Sequence, residues 1–193
     1  YELEKQQQFS DTVNPGDVVF DVGANVGFYT LLSSVLAGES GKVVSFEPSP
    51  RNFGFLTRHV QINAMSNVTL YQAAVADQPG EAMFDFADSN AKSRLSDAGT
   101  HKVRLVSLDD LFARGEVPRP NLIKIDVEGA EARVLRGART LLASGPLPTI
   151  FLATHGPEVH RECLGLLREM GYRVRSADAR SVDDTDELIA TQG

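Results

Sequence analysis

Three carboxylates and a lysine crowd one short stretch, "LIKIDVEGAEARVLRGA", from Leu122 to Ala138. Its apolar first half reads as a buried strand, and ligands of open α/β sheets bind outside the carboxyl ends of the strands. Alternation sends Lys124, Asp126 and Glu128 to one side and Ile123, Ile125 and Val127 to the other, if the strand persists that far. Charges on a central strand are costly unless they are paired or used. The set therefore forms a structural ion pair of Lys124 with Asp126 or Glu128, or it takes part in catalysis. As chemistry, Asp126 offers a general base, and Asp126 with Glu128 offers oxygens to a divalent cation. A second base is His155, which follows the apolar run "PTIFLAT" beside Gly156-Pro157 at a helix start. His59, His101 and His160 read as surface residues, and Glu131 as a charge favouring the N-terminus of its helix.

A second stretch, "VVFDVGANVGFYTLL" from Val18 to Leu32, begins as a strand, breaks at glycines and resumes as an apolar helix. A dinucleotide fingerprint needs G-x-G-x-x-G. Here Asn25 and Phe28 stand where the second and third glycines belong, so a pyrophosphate cofactor is disfavoured. Asp21, aimed into the turn, would repel phosphate and suit an ammonium group. S-adenosylmethionine carries such a group, a sulfonium and no phosphate. Asn25 tolerates a left-handed turn, and its amide can face the methionyl carboxylate. Glu47, ending "VVSFE", can accept both ribose hydroxyls. Gly23, Ala24, Gly27, Phe28, Pro48, Ala74 and Asp126 complete the expected cofactor pocket. Adjacent helical residues diverge by about 100°, so at most one of Phe28 and Tyr29 is expected to face a ligand. By residue type Phe28 is a core residue.

Short β-branched runs alternate with helical segments around these two stretches, the pattern of a parallel sheet covered on both faces. Strands are predicted at 17–22, 42–47, 68–75, 121–127, 148–154, 172–177 and 187–192, and helices at 27–37, 50–62, 130–142 and 157–170. Ser107 with Asp110 starts a short helix through Phe112. An insertion over 78–106 has ends that look like paired strands, and its middle, Asp88 to Thr100, reads as a mobile loop beside the site. The 193 residues fit one domain, with 1–15 as an N-terminal extension.

A formal net charge of −7 weighs against a nucleic-acid partner, which normally meets a basic face. Cys163 is the single cysteine, and no secretory signal or long apolar run is seen, so an intracellular (cytoplasmic) protein with no membrane association is expected. The first residue is Tyr1 rather than Met, so upstream residues are expected to have been removed, and whether they complete the pocket is not legible. Oligomeric state is not legible.

The segments "FDVGANVGFYT", "SFEPSP", "VSLDDLF" and "LIKIDVEGAEARVLRGA", in this order and spacing, resemble the FkbM family of S-adenosylmethionine-dependent methyltransferases over about Gly16 to Tyr172. The resemblance implies a Rossmann-like class I methyltransferase fold: α/β, with a seven-stranded, mostly parallel sheet, helices on both faces and an antiparallel last strand. It implies O-methylation of a hydroxyl on a sugar, polyketide or other secondary metabolite. By resemblance, Asp21, Gly23, Asn25, Gly27 and Glu47 line the cofactor site, while Asp126 and Glu128 face the acceptor. Many relatives carry a glutamate near the end of the fifth strand, where this chain has Ala153 or Thr154. Methyl transfer needs oxygen, methyl and sulfur in line and the hydroxyl proton removed. Either Mg²⁺ held by Asp126 and Glu128 lowers the hydroxyl pKa, or His155 or Asp126 acts as base without metal. The metal-free route is preferred, because two carboxylates are too few ligands to specify Mg²⁺. Two other readings stay open: an NAD-dependent oxidoreductase, and a non-catalytic methyltransferase-like module of a biosynthetic assembly.

Overall fold

The computed structural model describes residues 2–86, 93–95, 101–178 and 180–193. Its main sheet is built from β1 (Val18–Val22), β2 (Lys42–Phe46), β3 (Val68–Tyr71), β8 (Leu122–Ile125), β9 (Thr149–Ala153), β10 (Tyr172–Ser176) and β11 (Glu187–Gln192). They lie in the order β10-β11-β9-β8-β1-β2-β3, and only β11 runs antiparallel to its neighbours. The order reverses direction between β1 and β8, which places a crevice at the carboxyl ends of those two strands.

Alternation sorts the core. Phe20, Val22, Ile123, Ile125, Ile150 and Leu152 share one buried cluster, whereas Val19, Leu122 and Phe151 belong to another. Asp21 and Lys124, directly opposite each other in the β1–β8 register, share the face of Val19 and Leu122. That face is covered by α2 (Phe28–Ala37) and by α1 (Glu2–Thr12). The N-terminal segment is thus a packed helix: Phe9 is fully buried, its ring edge-on to Tyr29 (4.8 Å between centroids) and Phe151 (5.2 Å).

Local chemistry sets the helix ends. Ser49 caps α3 (Pro50–Ile62), accepting from the Asn52 amide, with Pro50 in the first turn. Ser107 does the same for α4 (Leu108–Ala113), accepting from the Asp110 amide. The helix expected over 130–142 is two pieces, α5 (Glu131–Arg136) and α6 (Arg139–Ala143). The break lies at Gly137, whose carbonyl accepts from the Asp109 amide and the Ser107 hydroxyl. Asp109 then caps α6 from outside, accepting from the amides of Thr140 and Leu141. The expected third strand also divides. After β3 the chain bends, and β4 (Ala74–Val75) joins a second sheet of order β4-β7-β5-β6. In that sheet β5 (Gly80–Phe86) and β7 (His101–Val106) pair antiparallel, as the ends of the insertion suggested. Apart from β6 (Ser93–Leu95), the expected loop at 88–100 lies outside the described residues. The last helix, α7 (Pro157–Glu169), follows the β9 end. Among the described residues no helix is long and apolar enough to cross a membrane.

Candidate active site

The turn from β1 into α2 passes through three positive φ angles: Gly23 (+82°), Asn25 (+51°) and Gly27 (+100°). A Cβ on Gly23 would lie 1.9 Å from the Asp126 carbonyl oxygen, so only glycine lets the turn rest on the end of β8. Gly27 meets a different neighbour, since a Cβ there would lie 2.6 Å from Leu56 on α3. Glu47 ties the turn to the end of β2: its Oε2 accepts from the Asn25 amide (2.8 Å) and its Oε1 from the Ser49 amide (2.9 Å). Burial pushes the Glu47 pKa up, against the pull of those two backbone bonds. Each carboxylate oxygen keeps further acceptor capacity. A buried acceptor bordering the crevice suits the hydroxyls of a ribose, and the turn beside it lacks the second and third glycines of a pyrophosphate fingerprint, so the residues present fit S-adenosylmethionine.

Asp21 does not face the crevice as expected. It is fully buried under the turn, accepting from the Thr30 hydroxyl (2.7 Å), with Lys124 Nζ 3.4 Å away. The strand register explains this placement, because Asp21 and Lys124 are cross-strand neighbours on a covered face. Lys124 donates to the Gly23 carbonyl (2.9 Å), stands 3.7 Å from Asp126 and lies 5.5 Å from the Tyr29 ring centroid. This pair holds the turn from below.

At the ends of β8 and β9, His155 gathers the carboxylates. Its Nε2 is 3.6 Å from Glu128 and 3.8 Å from Asp126, and its Nδ1 is 2.7 Å from Glu131 Oε1. β8 ends at Ile125, so Glu128 reaches this cluster by a turn, with φ +55° at Glu128 and +105° at Gly129, rather than by strand alternation. Glu131 is fully buried, and the same Oε1 accepts from the Gly129 amide (2.9 Å). The hydrogen bond to Glu131 raises the His155 pKa, and the charges of Glu131, Glu128 and Asp126 add to it against the opposing effect of burial. Sequence reasoning gave Glu131 only a helix-end role. Its distance of 24 residues from His155 leaves no local signal of the pairing.

A cavity of roughly 1150 Å³ joins the two halves. Gly23, Ala24, Asn25, Phe28, Glu47, Pro48 and Ala74 border it on the turn side, and Lys124, Asp126, Glu128 and His155 at the strand ends. Asp21 and Gly27 are not among its walls. Phe28, expected in the cofactor pocket although a core residue by type, is about half exposed, because α2 starts at the rim, and both it and Tyr29 border the cavity. His160, expected on the surface, is buried, bonding Thr154 (2.9 Å) and the Val182 carbonyl (2.9 Å). Asp126, Glu128 and His155 bring one ligand atom each within 4.8 Å of one another. That set does not fit Mg²⁺, which takes near-octahedral oxygen coordination, because one of its three donors is an imidazole.

The strand order, the antiparallel β11 and the crevice at the β1–β8 switch point define a class I methyltransferase fold. Residues 21–174 match the methyltransferase FkbM domain, and the chain belongs to that family. A hexuronic acid methyltransferase from Haloferax volcanii is 34% identical over 130 residues, covering 66% of this chain and 52% of that protein. A 31-O-demethyl-FK506 methyltransferase from Streptomyces tacrolimicus is 30% identical, covering 84% of this chain and 75% of the relative. The chain thus spans about half the length of the Haloferax protein. Among solved structures, methyltransferase FkbM from Methylobacillus flagellatus aligns with a TM-score of 0.65 at 16% identity, covering 96% of this chain and 50% of that one. An O-methyltransferase from Thermotoga maritima aligns at 0.62 and 14% identity, covering 100% of this chain and 66% of that one. At such identities the structural likeness bears on fold alone. Membership of a methyltransferase family argues against the NAD-dependent oxidoreductase reading.

Proposed function

We propose that the chain is a single-domain, S-adenosylmethionine-dependent O-methyltransferase acting on a hydroxyl of a small molecule, with Phe84, His101 and Leu105 of the insertion bordering its site. The observation that carries this reading is that His155 Nε2, 3.6 Å from Glu128 and 3.8 Å from Asp126, shares one cavity with the Gly23–Asn25 turn and Glu47. When bound, S-adenosylmethionine supplies an electrophilic methyl group on a sulfonium. Gly23, Ala24 and Asn25 hold its amino-acid end against the turn, and Glu47 accepts from its ribose. At the acceptor end, His155 Nε2 would take the hydroxyl proton as the oxygen–methyl bond forms and the sulfur–methyl bond breaks, with S-adenosylhomocysteine as the leaving group. Asp126 and Glu128 stabilise the resulting imidazolium and orient the acceptor. The name of the Streptomyces relative, a 31-O-demethyl-FK506 methyltransferase, supports an oxygen acceptor, whereas the hexuronic acid named for the Haloferax relative offers carboxylate and hydroxyl oxygens alike.

Calorimetric titration with S-adenosylhomocysteine tests the cofactor half. Wild type is expected to bind in the micromolar range. Glu47→Ala should weaken binding by about 10- to 100-fold, the worth of hydrogen bonds to a charged group, whereas Asp126→Ala should bind within about threefold of wild type, about 0.7 kcal/mol. A folded wild type that binds nothing would remove the proposal. An acceptor screen across hexuronic acids and polyketide alcohols, read by transfer of a labelled methyl group, tests the other half. A cofactor binder that methylates nothing across a broad screen would favour the non-catalytic module. Exhaustive dialysis against EDTA is expected to leave methyl transfer unchanged. Activity that vanishes and returns with Mg²⁺ would replace the imidazole base by metal activation.

A further inference from the structure

We infer that Glu131 is a positioning residue that fixes His155 in the tautomer with the proton on Nδ1 and the lone pair on Nε2, facing the cavity. The inference deepens the proposed function, because it matters for catalysis only if His155 is the base.

The geometry leaves Nδ1 little choice. A carboxylate is an acceptor only, so at 2.7 Å from Glu131 Oε1 the ring nitrogen must donate. A neutral imidazole that donates from Nδ1 carries its lone pair on Nε2. Nε2 in turn faces the acceptors Glu128 (3.6 Å) and Asp126 (3.8 Å), which on their own would favour a proton on Nε2. Without Glu131 those two carboxylates would select the tautomer that cannot accept a substrate proton. Glu131 settles the competition because it is closer and fully buried, where a hydrogen bond is less weakened by water.

The cost of placing a carboxylate there points the same way. Glu131 is 0% exposed, and its Oε2 is buried with no hydrogen-bond partner among the described residues. An apolar residue at the first position of α5 would avoid that desolvation. All of its hydrogen bonding goes instead through Oε1, to His155 and to the Gly129 amide. One side chain thereby sets both the imidazole and the turn that carries Glu128. The charged groups around His155 are Glu131 from α5, Asp126 and Glu128 from the segment joining β8 to α5, Lys124 behind Asp126, and Asp186 at the cavity wall beside β11.

Long-range proton–nitrogen NMR of uniformly ¹⁵N-labelled protein, titrated over pH, reads the tautomer directly and needs no acceptor. Wild-type His155 is expected to show a protonated Nδ1 and an unprotonated Nε2 at alkaline pH. Glu131→Met, which removes the acceptor at similar volume, should move the population towards Nε2–H. Glu131→Gln keeps a carbonyl oxygen for Nδ1 and should retain the wild-type tautomer, while the imidazole protonation constant falls about tenfold through loss of the charge. A role limited to packing would leave the Nδ1–H tautomer unchanged in Glu131→Met. That outcome, or a wild type already in the Nε2–H form, overturns the inference. Should Glu131→Met not fold, the wild-type spectrum and the Glu131→Gln titration still decide. S-adenosylhomocysteine titration of the same samples separates the two levels, since a wild type with the expected tautomer and no binding would sink the methyltransferase reading alone.

Discussion

Replacing His155 by alanine is expected to slow methyl transfer by about 10²- to 10⁴-fold, the usual span for a lost general base. Binding of S-adenosylhomocysteine should stay within about threefold of wild type, about 0.7 kcal/mol, because the proposed cofactor contacts are made by Glu47 and the glycine turn and none by His155. The ring is only half buried, so the variant is expected to fold. The pH profile supplies an independent check. An imidazolium has no lone pair to accept the hydroxyl proton, so kcat/KM should be low in acid and rise to a plateau as His155 loses its proton. The midpoint should lie above 6.5, the ordinary imidazole value, since the hydrogen bond to Glu131 and the charges of Glu128 and Asp126 outweigh burial. Stability runs the other way. A group whose folded pKa is raised stabilises fully below its unfolded pKa, and the contribution fades as pH rises through the folded one. The enzyme should therefore gain activity over the same interval in which it loses the stabilising charge on His155. A His155→Ala variant with wild-type kcat would transfer the proton step to Asp126 or to solvent.

Much of this site was legible in the residues because its parts are local. The turn glycines, Glu47 at a strand end and the charges after Ile125 are all fixed by period and punctuation along a few residues. The sheet followed for the same reason, and its last strand, β11, is antiparallel as the family resemblance implied. What escaped depends on register between distant segments. Asp21 was expected to face the ligand, yet whether a strand-end carboxylate points to a crevice or to a neighbouring strand is decided by what lies beside it. Lys124, 103 residues away, lies beside it and takes the charge. Glu131 was read as a helix-end charge, because its pairing with His155 exists only once β8 and β9 are parallel neighbours. The helix break at Gly137 is of the same kind, since Ser107 and Asp109 approach from a separate element.

Gly23→Ala is expected to be the most damaging single-methyl change in the chain's ligand turn. Two costs combine at this position. The φ of +82° is strained for any residue with a Cβ, at about 1–2 kcal/mol. The added carbon would also lie 1.9 Å from the Asp126 carbonyl oxygen and 2.9 Å from its carbonyl carbon, and both are backbone atoms that cannot rotate away. Relief requires moving the turn off the end of β8. That movement would lengthen the Lys124 bond to the Gly23 carbonyl and leave the buried Asp21–Lys124 pair less well satisfied. A total loss of about 3–5 kcal/mol follows, placing the variant among the severe substitutions. Thermal denaturation should show a melting point lower by roughly 10 °C for a domain of this size, with S-adenosylhomocysteine binding abolished in whatever remains folded. Gly54→Ala provides the control, since Gly54 is exposed within α3 and a Cβ there meets nothing within 4 Å. Helix propensity predicts that this control gains about 0.5–1 kcal/mol. If Gly23→Ala melts with wild type while Gly54→Ala behaves as expected, the contact between the turn and Asp126 is not the constraint described, and the glycine would be needed for ligand approach alone.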